Sequence, residues 1–290
     1  PLPLFFLNSF LEMEPAVRIN QLFDVRGKVA VVTGGGRGIG KMIATALIQN
    51  GAKVYIASRK EKNITQTAAE LNKMGPGKCI PLIYDLSTEK ECLNLVKEVS
   101  KNETELHILV NNAGAAWGSP MKIYPSRAWK LLLSINLECI FYLIRGFLPL
   151  LSKTATEQDH TSVINISSID GVKIVTTPHY AYSASKAGVN MMTKVLANEL
   201  AEKHINVNAI LPGPFESRML TDLLKVHSAD DLKAEVPMGR AGSTEDIAGL
   251  ILFLCSRASG YITGALIPCD GGSLVSTKTR QLTPEFKSLL

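Results

Sequence analysis

Tyr182 and Lys186 stand four residues apart in Tyr182-Ser183-Ala184-Ser185-Lys186. On a helix that spacing puts a phenol and an ammonium on one face. A phenol, with an ordinary pKa of about 10, is a poor proton-transfer group near neutrality. A neighbouring lysine cation would stabilise the phenolate and lower that value. The spacing alone is common on innocent surfaces. Its weight comes from Ser168, in Asn165-Ile166-Ser167-Ser168-Ile169-Asp170-Gly171, directly after a strand pattern. A serine hydroxyl there would hold a substrate oxygen while Tyr182 passes it a proton. Such a set suits hydride chemistry on an alcohol/carbonyl pair.

A second constellation supplies the hydride carrier. Thr33-Gly34-Gly35-Gly36-Arg37-Gly38-Ile39-Gly40 follows one strand pattern and opens a helix pattern. Glycines let backbone approach a pyrophosphate, and the helix N-terminus offers it free N–H groups and a positive dipole end. Gly34, Gly36, Gly38 and Ile39 are the expected contacts. NAD binders place a carboxylate at the end of the next strand to hold the ribose hydroxyl. Here that strand ends in Ser58-Arg59-Lys60. Arg59, with Arg37 in the turn, would grip a 2′-phosphate by charge-assisted bonds. The reading is NADP(H) over NAD(H), with Asp85 and Leu86 flanking the adenine.

These residues need a scaffold, and the chain spells one out. Short β-branched runs alternate with amphipathic segments from Gly27 onward. Strands are predicted at Lys28–Val32, Val54–Ala57, Ile80–Tyr84, Ile108–Val110, Ser162–Ile166, Ile205–Ile210 and Ala265–Pro268. Helices are predicted at Gly38–Asn50, with Gly51 as C-cap, then Glu61–Met74, Glu89–Glu98, Ser126–Leu151, Tyr182–Lys203 and Thr244–Cys255. A lid-like helical segment is predicted at Ser217–Lys225. Continuous apolar strands separated by helices imply an α/β fold, a doubly wound parallel sheet covered on both faces. Its crevice lies at the strands' carboxyl ends. No linker or repeat interrupts the pattern, so one domain is expected.

Taken together, these motifs resemble the short-chain dehydrogenase/reductase family over about Gly27 to Gly272. The resemblance assigns Thr33–Gly40 to the cofactor turn and Asn111-Asn112-Ala113-Gly114 to a segment that supports the sheet and flanks the adenosine ribose. It adds Asn136 to Ser168, Tyr182 and Lys186 as the catalytic set. It chooses Ser168 over Ser167 because the family glycine three residues on is Gly171. It implies that Lys186 also holds the nicotinamide ribose and that Asn136 helps retain a relay water. Pro212, Gly213, Phe215 and Ser217 fall beside the nicotinamide, and Asp270-Gly271-Gly272 is a family ending.

Trp117, His179 and Met219 are placed around the substrate with Ser168, His179 as a wall residue rather than a second base. Trp117-Gly118, Tyr124-Pro125, His204–Asn208, Ser217–Met219 and Pro237–Arg240 resemble the 3-oxoacyl reductases of bacterial rhamnolipid synthesis. That likeness implies reduction of a 3-oxoacyl thioester, on an acyl carrier protein or coenzyme A, in a homotetramer or homodimer. Arg127, Lys130, Arg145 and Arg218 are candidate contacts for an acidic carrier. A general ketone, diketone or sugar reductase is the alternative on the same scaffold. A non-catalytic NADP(H)-binding regulator is a second.

Composition limits the other classes. With 46% hydrophobic and 20% charged residues the chain suits a packed soluble protein. Its net charge of +5 comes from 31 basic and 26 acidic side chains that are scattered, which argues against nucleic acid. Cys79, Cys92, Cys139, Cys255 and Cys269 form no CxxC pair and no metal-ligand spacing with histidine, so no metal site is expected. Free thiols suit a reducing, cytoplasmic setting. The apolar stretch Pro1–Leu11 is too short to span a bilayer and lacks a basic flank or cleavage site. Residues 1–20 are read as a poorly ordered extension, 21–272 as the domain and 273–290 as a tail.

Overall fold

A computed structural model describes residues 17–174, 178–217, 220–221, 230 and 234–277. Seven strands form one sheet in the order β3-β2-β1-β4-β5-β6-β7. They are β1 Val29–Thr33, β2 Lys53–Ser58, β3 Lys78–Ile83, β4 Ile108–Asn111, β5 Thr161–Ile166, β6 Ile205–Pro212 and β7 Leu266–Cys269. Every pairing is parallel. The order reverses between β1 and β4, so their carboxyl ends diverge into a crevice. This is the doubly wound sheet that the alternation implied.

The continuous burial of β1 follows from helices on both faces. Ala30 and Val32 join one apolar cluster with Ile43, Leu47, Ile251 and Leu254. Val29 and Val31 join the other, with Leu95, Phe147 and Val189. The first face is covered by α2 (Gly38–Gln49), α3 (Glu61–Leu71) and, nearer the chain end, Thr244–Leu254. The second is covered by α4 (Glu89–Asn102), α6 (Cys139–Thr154) and α7 (Tyr180–Leu200), while α5 (Ser126–Leu133) packs against the start of α7. A short α1, Ile19–Leu22, precedes them, and Thr244–Leu254 is α8. Gly51, at φ +87°, ends α2 as a C-cap glycine should. Ser243 and Asp246 close a capping box on α8.

The boundaries moved in instructive places. β3 begins at Lys78 and stops at Ile83, because the Asn72 side chain pairs with the backbone of Cys79 and seats the strand earlier. α4 runs on to Asn102, four residues past the predicted Glu98, since Val99 is buried with its apolar stripe. The predicted helix Ser126–Leu151 is continuous but contains a π turn at Ser134–Glu138. α7 starts two residues early, at Tyr180. The run Ser126–Thr154 is long and apolar enough to cross a membrane by length and composition. Its Ile140, Leu143, Ile144, Phe147 and Leu151 pack instead against the sheet.

Residues 1–16, positions 218–219 and 222–225 of the predicted lid, and positions 278–290 of the tail lie outside the described residues. Ser273 is fully buried, and its carbonyl accepts a hydrogen bond from Lys173 Nζ at 2.7 Å. Lys173 also pairs with buried Glu235 at 3.1 Å, tying the segment after β5 to the chain beyond the predicted lid. All five cysteines are free. Burial pushes the thiols of Cys79, Cys92 and Cys255 up to about 12, so they are packing groups rather than nucleophiles.

Candidate active site

The glycine turn is held flat against the end of β4. Thr33 anchors it, its hydroxyl accepting the N–H groups of Asn112 and Ala113, each at 2.9 Å. Asn112 Nδ2 donates back to the Thr33 carbonyl at 2.8 Å. A Cβ on Gly34 would stand 2.7 Å from Asn112 Nδ2, and one on Gly40 only 2.4 Å from the same atom. Gly34 and Gly38 also take positive φ, +66° and +52°. The turn thus needs glycine for contact as well as for conformation. Asn112, Ala113 and Gly114 sit where the sequence placed them, across the switch point.

On the far side of the crevice, Gly38 comes within 3.4 Å (from a built Cβ) of Ser217 Cβ. The turn and the segment after β6 therefore meet around one space. Gly213 lies against Asp270 and donates to the Cys269 carbonyl at 3.0 Å. Three expected cofactor residues turn their side chains elsewhere. Leu86 and Phe215 are buried in the two apolar clusters, and Ile39 packs against one of them. These positions keep backbone groups to offer a ligand, and their side chains serve the core. Pro212 is buried at the end of β6.

Arg37, Arg59 and Lys60 are exposed around the end of β2, and Ser58 accepts the Lys60 N–H at 3.4 Å. Arg59 has a partner that the sequence did not foresee. Its guanidinium lies 3.5 Å from the Asp85 carboxylate, with both side chains largely in solvent.

The catalytic candidates converge on the start of α7. Tyr182 is buried in a small cluster with Leu132 and Ala181, against which Trp117 and Tyr124 pack. Its phenol neighbours the Ser168 hydroxyl. Ser167, the rejected alternative, lies 2.6 Å from Asn190 Oδ1 and 3.1 Å from the Lys186 carbonyl, deep in the packing. Gly171 explains the choice, since a Cβ there would meet Lys186 backbone at 2.8 Å. Lys186 Nζ donates to the Ile166 carbonyl at 2.7 Å and lies 5.7 Å from the Tyr182 ring centre.

Asn136 is fully buried in the π turn, and its side chain is entirely engaged. Oδ1 accepts from Ala115 N–H at 2.9 Å, while Nδ2 lies 3.0 Å from both the Ala115 carbonyl and Ser185 Oγ. Ser185 in turn donates to the Tyr182 carbonyl at 2.7 Å. Asn136 therefore clamps the loop after β4 to the helix that carries the tyrosine. Ser185's part in this chain was not legible in the sequence, because a serine inside a motif looks like filler.

Charge in the site departs from the expected pattern in one respect. Lys186 was expected to lower the Tyr182 pKa, yet the phenol is held well above its ordinary value. Burial is the first cause, the Asp170 carboxylate adds to it, and only the nearby Ser168 hydroxyl opposes them. Lys186 itself is pulled down to about 8 by burial. The unfolded chain therefore binds more protons between about pH 8 and 10.5. Charged Lys186 then costs the fold on the order of 3 kcal/mol below that window. Lys186→Met is expected to abolish turnover while leaving the melting temperature unchanged or raised, even after losing the Ile166 bond. Differential scanning calorimetry beside an activity assay checks this; a clear drop in melting temperature would mean Lys186 is held for stability.

His179 and Trp117 border the same cluster, and Met219 lies outside the described residues. Arg127 stacks over the Trp117 ring at 5.4 Å. Beside them, Met121, Tyr124, Trp129 and Tyr180 line a pocket of about 460 Å³ that the sequence reading missed. Among the described residues no group of three metal-ligating side chains comes together.

The comparisons with known proteins agree with this geometry. Residues 34–273 match the family described as enoyl-(acyl carrier protein) reductase. Similarity at 40% identity covers 86% of this chain and 97% of a Pseudomonas aeruginosa 3-oxoacyl-(acyl-carrier-protein) reductase of rhamnolipid biosynthesis. The chain belongs to the short-chain dehydrogenase/reductase family. A second member, short-chain dehydrogenase/reductase PhomF of Diaporthe leptostromiformis, is 38% identical over 91% of this chain and 97% of its own. Among solved structures, the Pseudomonas aeruginosa RhlG/NADP active-site complex superposes with a TM-score of 0.83 at 38% identity. It covers 90% of this chain and all (100%) of that one. As a short-chain dehydrogenase/reductase, the protein is an oxidoreductase.

Proposed function

We propose that this enzyme uses NADPH to reduce a 3-oxoacyl thioester to a 3-hydroxyacyl thioester, with Tyr182 as the proton donor. The observation that carries the reading is a buried tyrosine that neighbours the Ser168 hydroxyl and has Lys186 Nζ 5.7 Å from its ring centre. The crevice fits a dinucleotide: Gly34 has no room for a side chain, Gly34 and Gly38 both take positive φ, and α2 begins there. Arg37, Arg59 and Lys60, with no carboxylate on β2, favour a 2′-phosphate, and the RhlG complex was solved with NADP.

When bound, NADPH supplies the hydride. Ser168 holds the substrate carbonyl oxygen beside the Tyr182 phenol, so that negative charge developing on that oxygen meets a proton. The raised Tyr182 pKa suits this direction, because a reductase needs the phenol protonated, and an alkoxide is a far stronger base than a phenolate. Lys186 lies close enough to stabilise the phenolate that remains. Asn136 and Ser185 hold the helix end and the β4 loop in register. Gly34, Gly36, Gly38 and the backbone at Ile39 cradle phosphates, with Ser58, Asp85, Leu86, Asn112, Ala113 and Gly114 around the adenosine. Pro212, Gly213, Phe215 and Ser217 flank the nicotinamide.

The named relative at 40% identity and the aromatic pocket beside Trp117 support an apolar acyl substrate on a carrier or coenzyme A. Exposed Phe141, Met191 and Val195 on α6 and α7 support a homodimer or homotetramer built from residues 21–272. Steady-state NADPH consumption with a 3-oxoacyl thioester, a diketone and a ketose tests the reading. The thioester is expected to give the highest kcat/KM; a value far below the other two would end the acyl assignment.

A further inference from the structure

Ser168 and Tyr182 account for one substrate oxygen, yet a second polar pair stands beside them. Asp170 lies in the 3-10 turn Ile169–Gly171, and its N–H donates to Ser168 Oγ at 3.1 Å. Its carboxylate is 3.2 Å from His179 Nδ1, with the two side chains only 13% and 18% exposed. The His179 ring stands edge-on to the Tyr182 ring at 5.7 Å. His179 precedes α7 but makes no side-chain cap, so the helix does not explain it.

A purely structural role is a poor account of this pair. Bringing a carboxylate out of water costs free energy, and here its charge also opposes ionisation of the neighbouring phenol. An apolar residue would pack the turn without either penalty. What the pair does supply is a fixed ring. A carboxylate and a substrate carbonyl both only accept hydrogen bonds, so the ring that serves both is the imidazolium, with Nδ1–H on Asp170 and Nε2–H left for another partner. Among the described residues Nε2 has none. Imidazole and phenol thus stand side by side, so that two substrate oxygens would each meet a polar group.

We propose that His179, positioned by Asp170, binds a second oxygen of the substrate, so that the site selects carbonyls bearing another carbonyl one carbon away over simple ketones. This rests on the carbonyl-reductase reading above and makes the β-dicarbonyl unit, rather than the thioester, the recognised feature. His179 is then a specificity-determining residue, and Asp170 a positioning residue that acts through it.

Acetylacetone and methyl propyl ketone, which differ in that one carbonyl, make the comparison. His179→Phe keeps a ring against Tyr182 and removes the hydrogen bond. It is expected to lower kcat/KM for acetylacetone about tenfold, the worth of one hydrogen bond, with methyl propyl ketone changed less than about twofold. Asp170→Asn should shift the same ratio in the same direction. The double variant should be no worse in that ratio than His179→Phe, since coupled residues are not additive. NADPH titration of each variant verifies the folded site. Equal losses on both ketones, additive losses, or a wild type that does not prefer acetylacetone would overturn the proposal. Acetoacetyl-coenzyme A is run beside them. If it is not reduced while the acetylacetone preference behaves as expected, the thioester assignment fails and the pair stands.

Discussion

Tyr182→Phe is expected to lower kcat/KM by about a thousandfold while NADPH binding survives. The size follows from removing a positioned general acid, which contributes roughly 10²–10⁴-fold. Survival of binding follows from the packing. The Tyr182 ring sits among Leu132, Ala181, Trp117 and Tyr124, and phenylalanine keeps that ring. Only the phenolic oxygen beside Ser168 is lost. The pH profile gives a second handle. Because burial and Asp170 hold the phenol above its ordinary pKa, it stays protonated through neutrality. Reduction should therefore lose nothing to Tyr182 ionisation across that range. Alcohol oxidation, which needs the phenolate, should rise with pH in the wild type and be flat in the variant. Single-turnover measurement of NADPH loss decides it. Substantial residual hydride transfer in Tyr182→Phe would show that another group is the acid.

Much of this site was legible because its residues carry local signatures. The glycine turn, the tyrosine–lysine spacing and the serine after a strand each combine a residue type with a fixed position on an element. The fold was legible for the same reason: β1 is apolar throughout because helices cover both of its faces. What escaped depends on contacts between distant segments. Nothing local in Ser168-Ile169-Asp170-Gly171 says that Asp170 will face His179, nine residues later across a turn. The π turn at Ser134–Glu138 has no composition of its own, and it shows only in the way Asn136 reaches Ala115 and Ser185. The pKa of Tyr182 was misjudged because the sequence displays a nearby cation but not the depth of burial.

The same limit applies to the cofactor, where the structure makes the expected result sharper. Arg59→Asp should weaken NADPH far more than NADH. Loss of a charge-assisted hydrogen bond is worth about 1.5–3 kcal/mol, or roughly ten- to a hundredfold in Kd. The variant also sets a second carboxylate beside Asp85, which lies 3.5 Å from the native guanidinium. Both carboxylates would then face the 2′-phosphate, while NADH, lacking that group, has little there to lose. Since the side chains are exposed, the ratio should shrink as salt is raised. Asp85→Asn gives the converse test. In the native protein the Arg59 guanidinium is shared with Asp85, so neutralising the carboxylate should tighten NADPH several-fold, the scale of an exposed ion pair, and leave NADH nearly unchanged. Fluorescence titration of both cofactors against the two variants measures this directly. An unchanged NADPH-to-NADH ratio in Arg59→Asp would remove Arg59 from the 2′-phosphate site and leave Arg37 and Lys60 to hold it. Opposite shifts in the two variants would show a site in which cofactor choice is set by one arginine and moderated by the carboxylate that restrains it.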